Sequence, residues 1–293
     1  MSESTAMTGP LTMREPLVDM CNIVTIARKE IRDALRNKWF MLYSIAFAAL
    51  SLALASLALA GTGQYGFGGF GRTAASLINL VMLIVPLMAL SAGAGSLAGE
   101  RERGTLNYLL AQPVTRFEVL LGKYIGLAIA LLASLCLGFG ACAAVIASRA
   151  GGADAAAFIT LVICAYALAL AMLSVGMLIS SVTRRSSVAL AAALFSWLGV
   201  VFLGDLGLMG STLAFNLSVP QMLGLSLVNP LQVFKMSSLT SLHASLDVLG
   251  PAGLYATQHW GDRLPLIFGG ALAGWILLPL LAAQLLFARR GGS

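Results

Sequence analysis

Apolar and polar positions along the chain fall into long apolar blocks separated by short charged segments. From about Asn22, Ile23, Ala27, Ile31, Ala34 and Leu35 share one helical face, while Arg28, Lys29, Arg32, Asp33 and Arg36 occupy the other. This predicts an amphipathic helix over 22–38, ending at Lys38 and Trp39 where the first apolar block begins. A helix of this kind suits the membrane interface, its basic face toward anionic headgroups, either as a plain lipid anchor or as a docking element for a partner. The apolar blocks that follow are each long enough to cross a bilayer: about Phe40–Ala60, Ala74–Ala98, Tyr124–Ser148, Asp154–Ser181, Val188–Gly204 and Leu264–Phe287. Pro86 removes one backbone bond from the second block and predicts a kink there.

Between the second and third blocks lies GERERGTLNYLLAQPVTRFEVLLGKY, residues 99–124. It is too charged to enter lipid and too short to fold as a domain. Glu100, Arg101, Glu102 and Arg103 alternate in sign, and Leu106, Leu109 and Leu110 follow at helical spacing, which predicts a short amphipathic helix over 99–112. Pro113 stops it, and Thr115 with Glu118 forms a capping-box pattern for the next helix. Such a connection is either a solvated loop or a handle by which a soluble partner moves the spans. Residues 1–21, mixed in Ser, Thr, Pro and acids, read as a disordered extension. The segment 205–263 is interrupted by Asn216, Pro220, Asn229 and Pro230 and reads as short interfacial helices on the outer side rather than a seventh crossing.

Composition sharpens this reading. Of 293 residues 59% are hydrophobic and 10% charged, the balance of a polytopic membrane protein and not of a soluble one. The net charge of +6 needs no nucleic acid to explain it. All of the 18 basic residues except Arg72, Arg149, Lys235 and Arg263 fall in the segments between blocks that this layout places inside, so both termini are expected to be cytoplasmic.

The chain also lacks chemistry of its own. No ionisable residue is expected deep within a span, so ion coupling is not expected. No Ser-His-Asp set, HExxH or intramembrane Asp pair supports catalysis. Gly122-Lys123 has Phe117 where a phosphate-binding loop needs its first glycine. Cys136, Cys142 and Cys164 lie in spans and are expected to be buried small hydrophobes. Met209, Met222, Met236, His243 and His259 share the outer segment without metal-site spacing. No catalytic residue, metal site or cofactor is therefore expected in this chain, and energy must come from elsewhere. Gly122 with Gly126, and Gly270 with Gly274, have the spacing of close helix contacts, within one subunit or between two.

With these features assembled, the chain resembles the membrane subunits of ABC-2 type exporters. The resemblance rests on IARKEIRDALRNKWF, six spans, GERERGTLNYLLAQPVTRFEVLLGKYIG and the long segment before the last span, with VNPLQVFKMSSL inside it. It implies an all-α polytopic fold of the ABC-2 (type V) class with six transmembrane helices and a leading amphipathic helix. It further implies a homodimer in a bacterial inner membrane, bound to two copies of an ATPase subunit that holds the ATP and Mg. Carried over by position, Gly99, Glu100, Arg101, Glu102, Arg103, Gly104 and Thr105 would dock into the ATPase, with Arg28, Lys29, Glu30, Arg32 and Asp33 touching the same subunit. Within the family the likeness runs to permeases serving maturation of nitrous oxide reductase with a periplasmic NosD-like partner, where a copper or sulfur species is the proposed cargo. Export of a lipid, drug or peptide, and a non-transporting relay of ATPase movement, are the other readings.

Overall fold

The computed structural model describes residues 19–60, 67–150, 155–215, 219–241 and 261–290. The expectations for residues 1–18 and for Asn216, His243 and His259 lie outside these residues. Among the described residues the regular structure is helical throughout. Six of the described helices are long and apolar enough to cross a membrane, over Lys38–Leu57, Ala74–Glu102, Arg116–Ser148, Ala155–Val182, Ser186–Gly204 and Leu264–Arg289.

The leading helix α1 (Met20–Arg36) is capped by Asp19, whose carboxylate accepts the Cys21 N–H at 2.9 Å. A single extended residue, Asn37, joins it to α2 (Lys38–Ala60), and the Asn37 side chain caps α2 by accepting the Trp39 N–H at 3.0 Å. Part of the apolar face of α1 is covered by protein, while Val24 and Leu35 remain exposed. Ile23, Ile26, Ala27 and Ala34 are buried, because α1 packs on α5 (Arg116–Ala150). The contact is close: a Cβ on Gly122 would lie 2.9 Å from Ile26 Cβ, and one on Gly126 would lie 2.6 Å from the Ala27 carbonyl oxygen. The Gly122–Gly126 pair thus seats a helix of its own subunit.

The core is the pairing of α3 (Phe67–Glu102) with α6 (Ala155–Val182). Gly93 and Gly176 face each other so tightly that a Cβ on either would come within 2.7 Å of a backbone oxygen across the contact, Leu173 O or Leu90 O. Buried Ser180 accepts the N–H groups of Leu97 and Ala98 at 3.0 and 2.8 Å, which pins the two helices in register. Helix α3 is longer than the apolar block that predicts it. It runs unbroken through Pro86 and on to Glu102, since nothing between Ala98 and Glu102 interrupts the helical backbone. Helix α2 lies against α5 with Gly138 over the Phe47 ring, and Phe47 meets Phe139 edge-on at 5.3 Å between ring centroids.

Helix α7 (Ser186–Phe215) also outruns its predicted end at Gly204. Two short helices follow, α8 (Val219–Leu227) and α9 (Pro230–Ser241). Rather than lying apart as interfacial pieces, α9 packs into the bundle against α6 and the last helix, α10 (Leu264–Arg290), and buries Val233, Phe234 and Met236. The outward faces of α2, α7 and α10 carry exposed Leu, Ile and Phe side chains, such as Ile45, Phe202 and Leu278, as a lipid-facing surface requires.

Candidate functional site

The charged connection folds in two pieces. Gly99, Glu100, Arg101 and Glu102 are the last turn of α3, and the short helix α4 covers only Thr105–Leu110 instead of 99–112. Gly104 divides them at φ 73°, a left-handed conformation that glycine adopts without steric cost. Chain direction therefore changes at Gly104, and α3, α4 and α5 form an elbow. Thr115 and Glu118 make the predicted capping box at the start of α5: the Thr115 N–H donates to Glu118 at 2.7 Å and the Glu118 N–H donates to Thr115 Oγ1 at 3.2 Å. Glu118, 1% exposed, also accepts the backbone N–H of Asp19 and so ties the start of α1 to the start of α5.

Under the elbow lies a cluster of four charges that spacing alone does not reveal. Lys123 on α5 is 1% exposed and donates to Glu30 of α1 and Glu100 of α3, each at 3.0 Å. Lys29, half exposed on α1, reaches the same Glu100 oxygen at 2.7 Å and lies 3.8 Å from Asp33. Two ammonium groups and two carboxylates balance, as burial demands. Burial alone would lower the pKa of Lys29, but its hydrogen bond to Glu100 and the charges of Glu100, Glu30 and Asp33 outweigh that and raise it above the ordinary 10.5. Its contribution to stability is thus fully present at neutral pH and is lost only in strong alkali. The second oxygen of Glu100, Oε2, is buried with no hydrogen-bond partner among the described residues.

This geometry corrects two expected docking residues. Glu100 is 4% and Glu30 is 7% exposed, so neither faces a soluble partner in this conformation; each bolts one helix to another. Lys123 and Glu100 belong to helices that cross and both are buried, but at the elbow ends of those helices and not deep within a span. The reason is geometric: α1 folds under the spans and brings its own counter-charges.

The remaining elbow charges are largely engaged within the chain. Arg101 donates to the Thr183 carbonyl at 2.6 Å and caps the end of α6, while Glu102 accepts the Ser186 N–H at 2.9 Å and caps the start of α7. Arg103 turns back to the Gly99 carbonyl at 3.1 Å, and Thr105 Oγ1 donates to the Glu100 carbonyl at 3.2 Å. Arg116 reaches the Ala288 carbonyl at 2.7 Å and ties α5 to the end of α10. The elbow presents Glu102, Arg103, Thr105, Asn107 and Gln112 outward, and above all Tyr108, 79% exposed near the middle of α4. On α1, Arg28, Lys29, Arg32 and Asp33 are exposed alongside it. Tyr108 is missing from the sequence-derived set, although a bulky aromatic residue on the polar side of a short helix was the available signal.

Residues 24–291 match the family model described as ABC-2 family transporter protein. The chain is 33% identical over 283 residues to a protein described as a probable ABC transporter permease protein NosY from Stutzerimonas stutzeri, covering 92% of this chain and 99% of that one. It is 34% identical over 277 residues to another so described from Pseudomonas aeruginosa, covering 91% and 98%. With six helices able to cross a membrane and a matching stretch that takes in both the leading helix and the elbow, the chain belongs to the ABC-2 transporter family and is a permease of that family.

Proposed function

We infer that this chain is the membrane subunit of an ABC transporter and is driven through its elbow by a separate ATPase. The observation that supports this most directly is the buried cluster joining Glu30, Lys123, Glu100 and Lys29. It makes α1, the end of α3 and the start of α5 one rigid unit, with an exposed tip at α4. A push on that tip by a soluble subunit tilts two spans together instead of bending a loop. Gly99, Arg101, Glu102, Arg103, Gly104, Thr105 and Tyr108, with Arg28, Lys29, Arg32 and Asp33, form the face toward the ATPase, while Glu100 and Glu30 hold that face in place. ATP and Mg belong to the ATPase.

The finer reading follows from the likeness to NosY permeases. Two copies of this chain and two ATPases sit in the inner membrane with both termini cytoplasmic. The complex works with a periplasmic NosD-like partner in maturation of nitrous oxide reductase, moving a copper or sulfur species or relaying force to that partner. Arg103→Glu combined with Tyr108→Ala changes two exposed side chains and removes within the chain only the Arg103 bond to the Gly99 carbonyl. This variant is expected to insert and fold as the parent does but to lose co-purification of the ATPase at least tenfold, the loss of about 1.4 kcal/mol or more. ATPase recovery equal to wild type in a pull-down from co-expressing cells would refute the elbow as the docking face.

A further inference from the structure

Far from the elbow, a groove of about 190 Å³ opens between α3, α7 and α9. Its walls are apolar, with Met82, Val200 and Leu231, but Asn79, Asn229, Gln232 and Lys235 also line it. None of the described lining residues is acidic. Gly204 permits the arrangement: a Cβ there would lie 2.6 Å from Asn229 Nδ2 and 3.1 Å from Gln232 Nε2, so two carboxamide nitrogens close on the α7 backbone where only hydrogen fits. The orientation of Asn229 is set at both ends. Its Nδ2 donates to the Val200 carbonyl at 2.6 Å, and its Oδ1 accepts the Leu231 N–H at 2.9 Å, which caps α9. Lys235 lies on the second turn of that helix, half-buried and in no ion pair among the described residues.

Depth identifies the ligand class. At 1.5 Å per residue, Asn79 stands about 34 Å along α3 from Glu102, and Gly204 about 27 Å along α7 from Ser186. A hydrocarbon core is about 30 Å thick, so the groove sits at the membrane interface opposite the elbow, at the level of the lipid headgroups. A cation on the N-terminal turns of a helix, in a groove that Asn79 also lines, favours an anion, and apolar walls suit what is attached to it.

We propose that this groove is a binding site for the phosphate headgroup of an anionic lipid, with Lys235 as the charged anchor and Asn79 as a second polar contact. The site needs no ATPase, so its test is separate from that of the elbow. The full-length protein is placed in nanodiscs holding equal amounts of phosphatidylglycerol and phosphatidylcholine, and the lipids retained after release are read by native mass spectrometry. Wild type is expected to retain phosphatidylglycerol about tenfold over phosphatidylcholine, as one charge-assisted contact allows. Lys235→Gln should abolish most of that preference and Asn79→Leu should weaken it, whereas Arg32→Gln, on the basic face of α1, should leave it. Displacement of the retained lipid by millimolar inorganic phosphate would overturn a lipid site in favour of a soluble oxyanion, and resistance to displacement supports the lipid. A preference that survives Lys235→Gln, or that disappears with Arg32→Gln instead, overturns the site.

Discussion

Lys123 shows how far a single side chain can depart from what its neighbourhood in the sequence suggests. It follows a glycine at the start of an apolar block, where a lysine ordinarily marks the membrane surface. In the folded chain it is 1% exposed and holds two carboxylates from two other helices. Such a cluster gives little net stability over an apolar replacement of the whole set, but removing one member strands the others. Lys123→Met should therefore destabilise the protein by about 3 kcal/mol, seen as a fall of several degrees in apparent Tm in detergent. Lys29→Gln, with a side chain 53% exposed, should cost at most about 1 kcal/mol by the same assay. Equal effects of the two changes would contradict the burial on which this ranking depends. Glu100→Arg would place a third cation beside Lys29 and Lys123, so its damage would reflect the cluster and not docking.

The capping box at Thr115 and Glu118 was legible because its chemistry is local: both partners lie within one turn. The limits of α3 and α4 were not, because the charges of Glu100 to Arg103 look like a surface loop until their partners on α1, α6 and α7 are known. The Gly122–Gly126 pair was legible as a packing signal but not in its object. It receives α1, and any side chain on Gly126 must displace the Ala27 backbone and the Glu30 Cβ. Gly126→Leu is expected to lift α1 from α5 and break the Lys123–Glu30 pair with it. Amide hydrogen exchange should then rise across residues 20–36 while residues 90–98, in the α3–α6 core, keep their protection. Protection of α1 unchanged from wild type would argue against this packing.

As an assembly of helices, the molecule divides into a tight centre and open flanks. Helices α3 and α6 touch backbone to backbone, whereas Cβ atoms added at Gly270 and Gly274 of α10 would meet nothing within 4 Å. The two glycine pairs that look alike in the sequence are thus not alike in the subunit. If a second copy covers α10, Gly274→Leu should leave the thermal stability of the monomer unchanged and reduce dimer recovered by cross-linking in membranes. Dimer yield equal to wild type would place the contact elsewhere. The proposed orientation has a direct check in the native thiols: Cys142 and Cys164 are buried as expected, Cys136 is exposed, against expectation, but lies in the middle of a span, and Cys21 on α1 is exposed outside the spans. A membrane-impermeant maleimide should label Cys21 in inside-out vesicles and not in right-side-out ones, and the reverse pattern would invert the topology.

Composition and periodicity alone determined that the chain is a helical membrane protein, where its six spans run to within a turn or two at most ends, and that one charged elbow interrupts them. These follow from hydrophobic burial and local backbone chemistry, which act over neighbours in sequence. The folded arrangement decided which charges are presented and which are hidden, that α1 seats on α5, and that α9 turns inward to meet α6. Each of those depends on groups separated by tens of residues, as Lys123 is from Glu30, and electrostatic pairing and close backbone approach are properties of distance in space that no linear pattern encodes.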